Sequence, residues 1–454
     1  MNKLTITQAL PLSALLLGLS SGAAAVTPDD FLAWVKANQS ATPSFKDGDQ
    51  ITFKNADAIR PFVPPGYQDE MIFDGMDVVV RDATDLSPPA IYNDATKKFF
   101  GQATLAEDGA LENYTAGLPF DPATIKIGDS ASGLKMVWNF NYRWQHEGLS
   151  GKNSDWIWVR AGGNHDNHDI MKGFGAKYFG GGGTFERWLK GKYKRVYLSH
   201  RADLADTDYK VQSSWAKNTE FREITEFFSP FDIAGTAFIV LRYDNPRKVD
   251  DGWAYVPSLR RVRRISADVK SDSLLGTDHT LEDFYCFSGR VLEHDWNYIG
   301  TARMLAVARS RYNLTNYYGP NGWTPKDDWE LREVNVFQQV PKSGTHPYSM
   351  KYIVADKQHG SALYCNAFDQ QKELWKVWQL SKVWTDDPHY TGEAPKGMRM
   401  SAFQNINVID KQNGRGTLVT LTADEKGNGG PSYPDNSLKQ IRRQLDVNRL
   451  TEGR

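Results

Sequence analysis

Short runs of residues that favour extended backbone recur along the second half of this chain, and turn-forming residues separate them. Apolar side chains in these runs recur at every second position, as in Met350, Tyr352 and Val354 or in Val334 and Val336. Because no long helical pattern lies between consecutive runs, parallel pairing through helical crossovers is disfavoured. The pattern therefore predicts a mainly β (α+β) protein with a large, curved antiparallel sheet that has one covered face.

The predicted strands follow one another at short intervals. They lie at residues 155–160, 193–199, 221–228, 237–244, 253–256, 261–267, 284–293, 331–340, 350–356, 362–368, 374–384, 401–410 and 417–422. Near the N-terminus, Thr27 and Pro28 form a helix start, and Phe31, Trp34 and Val35 recur at helical spacing. A short helix is therefore predicted there, ahead of a loop-rich stretch.

Composition narrows the classes of function. The chain carries 54 basic and 55 acidic side chains, so no global basic excess draws it to nucleic acid. Aromatic residues make up 12% of the chain. Such a share is typical of broad sheets with large side chains on their faces, and it fits an aromatic-lined cavity as well as an ordinary filled core.

The N-terminus has the features of an export signal. One early Lys precedes an apolar stretch at residues 9–19, and a run of small residues ends at Ala25. We expect residues 1–25 to be a signal peptide that is cleaved after Ala25, with no cysteine at the cut to carry a lipid anchor. The apolar stretch is too short to span a bilayer. The predicted location of the mature chain is the periplasm.

The chain has two cysteines, Cys286 and Cys365. In an oxidising compartment they can form one structural disulfide, and the alternative is two buried free thiols. Their wide separation excludes a CxxC redox or zinc motif.

The densest charge pattern lies at residues 253–283. Its arginines are Arg260, Arg261, Arg263 and Arg264, and the acids that follow include Asp272, Asp278 and Asp283. Guanidinium groups pair readily with carboxylates in a bidentate geometry. We therefore predict a strand pair that is cross-braced by a structural ion-pair cluster, in preference to a pair of catalytic carboxylates.

The same residues carry a family resemblance. Trp-x-Tyr-x-Pro-x-Leu-Arg-Arg-x-Arg-Arg from Trp253, then Asp-Ser-Leu-Leu-Gly-Thr-Asp from Asp272, then Glu282 and Asp283 resemble the signature of outer-membrane lipoprotein-sorting-like periplasmic proteins. That family, whose function is unknown, shares the curved-sheet carrier fold of LolA and LolB. Residues 363–377 resemble the strand, turn and strand that line such sheets.

The resemblance implies a half-barrel whose concave face is covered by helices and loops. It implies a single domain at 26–454, with a cover of one helix and loops at 26–150, the sheet at 151–425 and a tail at 426–454. It also favours a helix for residues 130–144, where apolar side chains both alternate and recur four apart.

Motifs for covalent chemistry are missing from the sequence. It contains no Gly-x-Ser-x-Gly, no His-Glu-x-x-His, no phosphate-binding loop and no dinucleotide fingerprint. The most metal-like run is His-Asp-Asn-His-Asp at residues 165–169, but adjacent residues of an extended backbone point apart. We therefore expect no metal and no cofactor.

An exported, aromatic-rich sheet of this kind can enclose an apolar cavity. Water between two membranes opposes exposure of a hydrophobic cargo by about 0.8 kcal/mol per CH₂ group. We therefore predict a non-catalytic carrier or chaperone for a lipid, a lipoprotein acyl chain or another hydrophobic small molecule. The family resemblance implies an inner-membrane exporter of the resistance-nodulation-division type as a partner. The residues predicted to line the cavity are Phe238, Val240, Trp253, Tyr255, Tyr352, Tyr364, Trp375 and Trp378.

Two alternatives stay open at this point. A hydrolase or isomerase acting on a hydrophobic compound requires His146, His165 or His279 within hydrogen-bond reach of a carboxylate in the cavity. A structural module of an envelope export complex predicts instead a filled sheet interior and an exposed apolar patch.

Overall fold

A computed structural model describes residues 25–163, 181–265, 271–422, 430–433 and 437–450. The predicted signal peptide, apart from Ala25, and the metal-like run at 165–169 lie outside the described residues. No helix within the described ranges is long and apolar enough to cross a bilayer.

Strands dominate the structure. They are β1 (Gln50–Thr52), β2 (Asp77–Arg81), β3 (Thr104–Leu105), β4 (Leu111–Glu112), β5 (Ser150–Arg160), β6 (Thr184–Tyr197), β7 (Thr219–Ser229), β8 (Ala237–Tyr243), β9 (Asp251–Val256), β10 (Arg261–Ile265), β11 (His294–Ala306), β12 (Tyr317–Tyr318), β13 (Thr324–Pro325), β14 (Asp328–Pro341), β15 (Met350–Asp356), β16 (Ala362–Phe368), β17 (Leu374–Trp384), β18 (Ser401–Asp410), β19 (Arg415–Thr422) and β20 (Pro431–Ser432). Sixteen of them form one open sheet, and β3 with β4 and β12 with β13 form two small ribbons.

The large sheet is a long meander. Its order is β1-β2-β14-β15-β16-β17-β18-β19-β5-β6-β7-β8-β9-β10, with β11 paired to β14 and β20 paired to β5. Strand β2 runs parallel to β14, whereas all the other pairs are antiparallel among the described strands. The predicted mainly β fold with a large antiparallel sheet is confirmed, and the N-terminal region adds two strands to one end of it.

The helices are short. They are α1 (Pro28–Ala37), α2 (Gln68–Met71), α3 (Ala90–Lys98), α4 (Ser132–Asn141) and α5 (Leu438–Leu445), together with several single turns of 3-10 helix. Helix α1 begins with a capping box in which Thr27 and Asp30 satisfy each other's backbone amides. Helix formation within residues 130–144 is as predicted, and the buried residues of this helix include Met136, Val137, Trp138 and Phe140.

Both faces of the sheet are covered. Alternation along each strand sends Tyr352 and Val354 to a core that includes Phe31 of α1, which defines the α1 face. The intervening Ile353 and the equivalent residues of other strands join a second core with α4 and residues 271–293, which defines the α4 face. Helix α5 closes a smaller core on β6 to β9. A single covered face was therefore the wrong prediction, because the loops before β5 bring enough apolar surface to cover the other face as well.

Two strand predictions also failed. Residues 284–293 form 3-10 turns, because Tyr285 and Cys286 have φ values of 58° and 71° that interrupt an extended chain. Strand β11, which follows directly, was not predicted. A register shift between Tyr298 and Gly300 breaks its alternation, so the period of two is lost in the sequence.

Candidate functional site

A cavity of about 210 Å³ lies on the α4 face, between α3, α4, β14 and the turn after β15. Its apolar walls come mainly from aromatic and aliphatic side chains. They are Tyr92, Leu118, Met136, Phe140, Trp144, Phe337 and Ala355. The polar residues of the lining include Asn139, Arg143, Asp356 and His359, together with Asn93, Thr96, Asn335, Lys357 and Gln358. An apolar space with a few polar groups is the usual composition of a small-molecule site.

Helix α4 is set against the sheet by a glycine. A Cβ atom on Gly133 would lie 1.9 Å from the carbonyl oxygen of Trp296, so only glycine permits this approach to β11. Trp138 then donates a hydrogen bond from Nε1 to the Gly109 carbonyl at 3.0 Å. These contacts fix α4 so that Phe140 and Arg143 face the cavity.

Helix α3 closes the opposite side. The Tyr92 hydroxyl donates to the Tyr142 carbonyl at 2.7 Å, and the Tyr92 and Trp144 rings lie 5.8 Å apart. The Trp144 Nε1 atom is buried and has no hydrogen-bond partner among the described residues. It is therefore an unsatisfied buried donor of a residue that lines the cavity.

Arg143 is the most unusual group of the site. It is 8% exposed, donates from Nη1 to the Phe140 carbonyl at 2.7 Å, and lies over the Phe140 and Tyr285 rings at 4.5 and 5.4 Å. Burial lowers the pKa of Arg143, but the guanidinium stays charged at neutral pH.

Arg143 also borders a second, smaller space of about 30 Å³, which we name the polar chamber. The polar chamber is lined by Arg143, Gln145, Tyr197, Tyr285, Ser361, Lys382, Ser401 and Tyr433, among others. Lys382 is 3% exposed, and burial together with the nearby Arg143 charge lowers its pKa to about 7. Two cations thus share one enclosed space.

His359 contributes a donor and not a base. The Ser361 amide donates to its Nδ1 at 3.1 Å, so in the neutral ring Nε2 carries the hydrogen. Burial lowers the pKa of His359 to about 4, which keeps the ring neutral. The Asp356 carboxylate beside it is held by Arg332 at 2.7 Å, and its Oδ1 is 3.7 Å from His359 Nε2, too far for proton transfer.

The other histidines named from the sequence lie elsewhere. His279 is fully buried in the α4-face core, with Nε2 3.1 Å from the Ile406 carbonyl. His146 Nε2 lies 3.5 Å from Asp203 Oδ2, beside a separate space of about 30 Å³ and beyond the range of a proton-transfer pair. His165 lies outside the described residues.

The eight residues predicted to line the cavity do not line it. Tyr352 and Tyr364 pack against Phe31 on the α1 face, with ring centroids 4.8 and 6.5 Å away. The others are distributed between cores and strand surfaces. Trp378 is fully buried in the α4-face core, Trp375 and Phe238 pack at its margin, Trp253 and Tyr255 join the core with α5, and Val240 is half-buried. These large side chains fill the protein's own interior, because covers lie on both faces.

The predicted ion-pair cluster does not assemble among the described residues. Arg260, Arg261, Arg263 and Arg264 are exposed at the β9–β10 hairpin, where Arg264 contacts Asp251, and Asp272 is exposed as well. Strand β10 is an edge of the sheet, and charged side chains on an edge oppose pairing with other chains. Apart from the Arg264–Asp251 pair between β9 and β10, the arginines of this motif therefore lie exposed at an edge of the described sheet.

The two remaining acids of that prediction anchor a different element. Asp278 pairs with Arg415 of β19 at 2.6 Å, and Asp283 pairs with Lys351 of β15 at 2.5 Å. Glu282 lies 2.7 Å from His294. The two cysteines, for which the sequence left two states open, form a disulfide between Cys286 and Cys365. We name residues 271–293 the clamped segment, because buried charges and a covalent bond attach it to the sheet.

Sequence reasoning missed Arg143, Lys382 and His359. Arg143 follows α4 directly, so an arginine at the end of an apolar helical run was the available signal. Lys382 interrupts the apolar run of β17, which is a similar signal. No group of His, Cys, Asp and Glu residues within the described part of the chain is arranged to hold a metal ion.

The fold is similar to those of solved structures of low sequence identity. One, described as an outer membrane lipoprotein-sorting protein domain from Vibrio parahaemolyticus, is 17% identical over 71% of this chain and 100% of its own, with a TM-score of 0.45. A second, from Desulfovibrio piger, is 16% identical over 69% of this chain and 96% of its own, with a TM-score of 0.43. A LolA superfamily protein from Nitrosomonas europaea is 11% identical over 66% of this chain and 92% of its own, with a TM-score of 0.32.

No curated protein matches the chain in sequence. A family model described as "Protein of unknown function (DUF1329)" matches residues 50–440, and the Desulfovibrio structure carries the same family name. The family resemblance of residues 253–283 is thereby confirmed. The chain belongs to the DUF1329 family.

Proposed function

We propose that this protein is a non-catalytic carrier that holds a hydrophobic ligand in the cavity under α3 and α4. The observation that carries the proposal is the cavity itself. On a sheet face where many of the protein's own aromatic rings are buried, the residues around Phe140 and Phe337 leave about 210 Å³ free. Protein interiors are close-packed, so a space of this size with apolar walls is suited to a guest.

The size of the cavity limits the guest. An apolar cavity of about 150 Å³ accepts benzene, so the space seen here accommodates one ring or a short acyl segment. A longer chain requires α3 to move away from α4. Because Leu118, Pro122 and Tyr92 all belong to connecting segments or a short helix, that side of the cavity has the least structure to disrupt.

The chemistry of the lining supports carriage over catalysis. His359 has the tautomer and the lowered pKa of a neutral donor, and the neighbouring Asp356 is held by Arg332. Neither His359 nor Asp356 is therefore suited to act as a general base in the cavity. The proposal places the carrier in the periplasm, where shielding a ligand from water is worth about 0.8 kcal/mol per CH₂ group. An inner-membrane exporter of the resistance-nodulation-division type is the partner that the family resemblance implies.

The test begins with native mass spectrometry of gently purified mature protein, followed by solvent extraction of whatever leaves with it. Leu118→Trp places a larger ring in the cavity and should weaken binding of an environment-sensitive acyl probe at least tenfold. The matched control is Leu105→Trp, since Leu105 is a half-buried leucine of the same region that does not line the cavity. Absence of a copurified ligand together with absence of probe binding by the unaltered protein would refute the proposal.

A further inference from the structure

We propose that Arg143 and Lys382 form a subsite for the anionic group of an amphiphilic ligand whose apolar part fills the cavity. This inference rests on the proposed function and names its ligand class. The ligand is a small amphiphile with an oxyanion, either a carboxylate or a phosphate monoester, on an apolar body.

Arg143 and Lys382 both lack a carboxylate partner. Among the described residues, no Asp or Glu oxygen lies within 4.0 Å of the charged nitrogens of either side chain. Several other buried cations of this chain are paired with carboxylates. Arg195 pairs with Glu223, Arg242 with Asp250, Arg332 with Asp356, and Lys351 with Asp283. Buried charge is therefore neutralised at these four positions, whereas it is left without a carboxylate at the polar chamber.

Burying two cations without a countercharge is unfavourable for the folded protein. An isolated buried charge is strongly unfavourable, and two like charges in one enclosed space repel each other as well. Burial and the Arg143 charge both lower the pKa of Lys382. An anion placed between them removes both penalties, and a guanidinium matches carboxylate and phosphate oxygens in a bidentate geometry.

Arg143 lies between the apolar cavity and the polar chamber. Arg143 lines both the apolar cavity and the polar chamber, whereas Lys382 lines the polar chamber. A guest with its apolar part beside Phe140 therefore has its head group at Arg143. Tyr285 and Tyr433 line the same chamber, and burial raises the pKa of each hydroxyl, so both stay neutral and add no negative charge to it.

The experiment compares three ligands of one chain length: octanoate, octyl phosphate and 1-octanol. Binding of each to the full mature chain is measured by calorimetry or by displacement of the acyl probe. We expect at least one of the two anions to bind tenfold or more tightly than 1-octanol, and the tighter anion identifies the head group. Lys382→Met should remove most of that preference and leave the affinity for 1-octanol within twofold.

Thermal stability supplies an independent readout. Lys382→Met removes an unpaired buried charge, so Tm of the ligand-free protein should rise by about 2 °C or more. Lys376→Met is the matched control. Lys376 is a buried lysine of the same strand whose Nζ donates to the Asp278 carbonyl at 2.9 Å, so its replacement should lower Tm and leave the preference for anions intact.

The outcomes separate the two proposals. Equal affinity for 1-octanol and both anions, an unchanged anion preference in Lys382→Met, or a fall in Tm of Lys382→Met would each overturn the anion subsite while the carrier function stands. Failure of all three ligands and of the acyl probe to bind would instead refute the carrier function.

Discussion

Two elements cover the α4 face of the sheet, and they are attached in different ways. The clamped segment is tied down by buried ion pairs of Asp278 and Asp283 and by the disulfide at Cys286. The helical cover, residues 88–144, is attached by apolar packing, by hydrogen bonds of Asn141 and Tyr142 to Glu220 at 3.3 Å, and by ion pairs of Arg247 with exposed acids. Breaking a buried charge pair is far more costly than breaking an exposed one.

This difference locates the site. The cavity lies under the helical cover and not in the middle of the clamped segment. The cover above the cavity is thus the element that can be detached from the sheet at the lower free-energy cost. The clamped segment provides a rigid wall, through Tyr285, for the polar chamber. A fixed wall combined with a cover that can open is a suitable arrangement for loading and releasing a guest.

The largest expected effect is a loss of stability when an ion pair of the clamped segment is broken. Asp283→Asn leaves the Lys351 ammonium buried without a countercharge, which should lower the free energy of unfolding by about 3–5 kcal/mol. Chemical denaturation measures this loss. Asp272→Asn, an exposed acid of the same segment, should change stability by less than about 0.5 kcal/mol.

The double variant Asp283→Asn with Lys351→Met should recover part of the lost stability, because the unpaired charge is gone. Affinity for 1-octanol should stay within twofold in both variants. A large loss of octanol binding would show that the clamped segment and the cavity are not separable, which contradicts the comparison.

An effect of intermediate size is expected in the pH dependence of the free energy of unfolding, which tests the charge of Lys382 in the polar chamber. Burial places the folded pKa of Lys382 at about 7, below the value of about 10.4 in an unfolded chain. Between these values the unfolded chain binds more protons, so the penalty from Lys382 is complete below pH 7 and disappears as the pH rises toward 10.4. The stability advantage of Lys382→Met should therefore be largest near pH 6 and shrink by pH 9 to 10.

Denaturant unfolding of the wild type and of Lys382→Met across this pH range measures the difference. Saturating octanoate should weaken the pH dependence, since an adjacent anion raises the pKa of the ammonium. A difference that stays constant from pH 6 to 10 would mean that Lys382 does not carry a depressed pKa in the folded protein.

The smallest effect concerns the helical cover. Tyr92→Phe removes the hydrogen bond to the Tyr142 carbonyl and should lower the free energy of unfolding by about 1 kcal/mol. The release rate of the acyl probe should increase, because α3 is less firmly held. Tyr114→Phe is the control, since its hydroxyl bonds to Gly117 within the same connection. Unchanged release in Tyr92→Phe would show that α3 is not the part that opens.

Local patterns in the sequence were sufficient for the strands with regular alternation. Strands such as β15 and β17 were found because they are rich in β-branched and aromatic residues, a preference that can be read within a few positions even though both sides of these strands are buried. Strand β11 was missed because its bulge shifts the period, and residues 284–293 were misassigned because left-handed residues are not visible in an apolar run.

The charged residues of the family signature show the same limit. Their presence indicated ion pairing, and Asp278 and Asp283 are indeed paired, but with Arg415 and Lys351 far along the chain and not with the nearby arginines. Proximity in sequence was a poor guide, because the clamped segment crosses the face of the sheet whereas the arginines end at its edge.

By itself, the sequence determined most of the long strands, the first helix and the family signature, since each depends on residues within a few positions of one another. It also determined the near neutrality of the chain, which is a sum over all residues. Only the tertiary structure decided which aromatic side chains fill the interior and that Arg143 and Lys382 line the same polar chamber. The reason is physical. A cavity forms where several segments that are distant in sequence do not fill the space between them. The sequence of one segment alone therefore does not predict it.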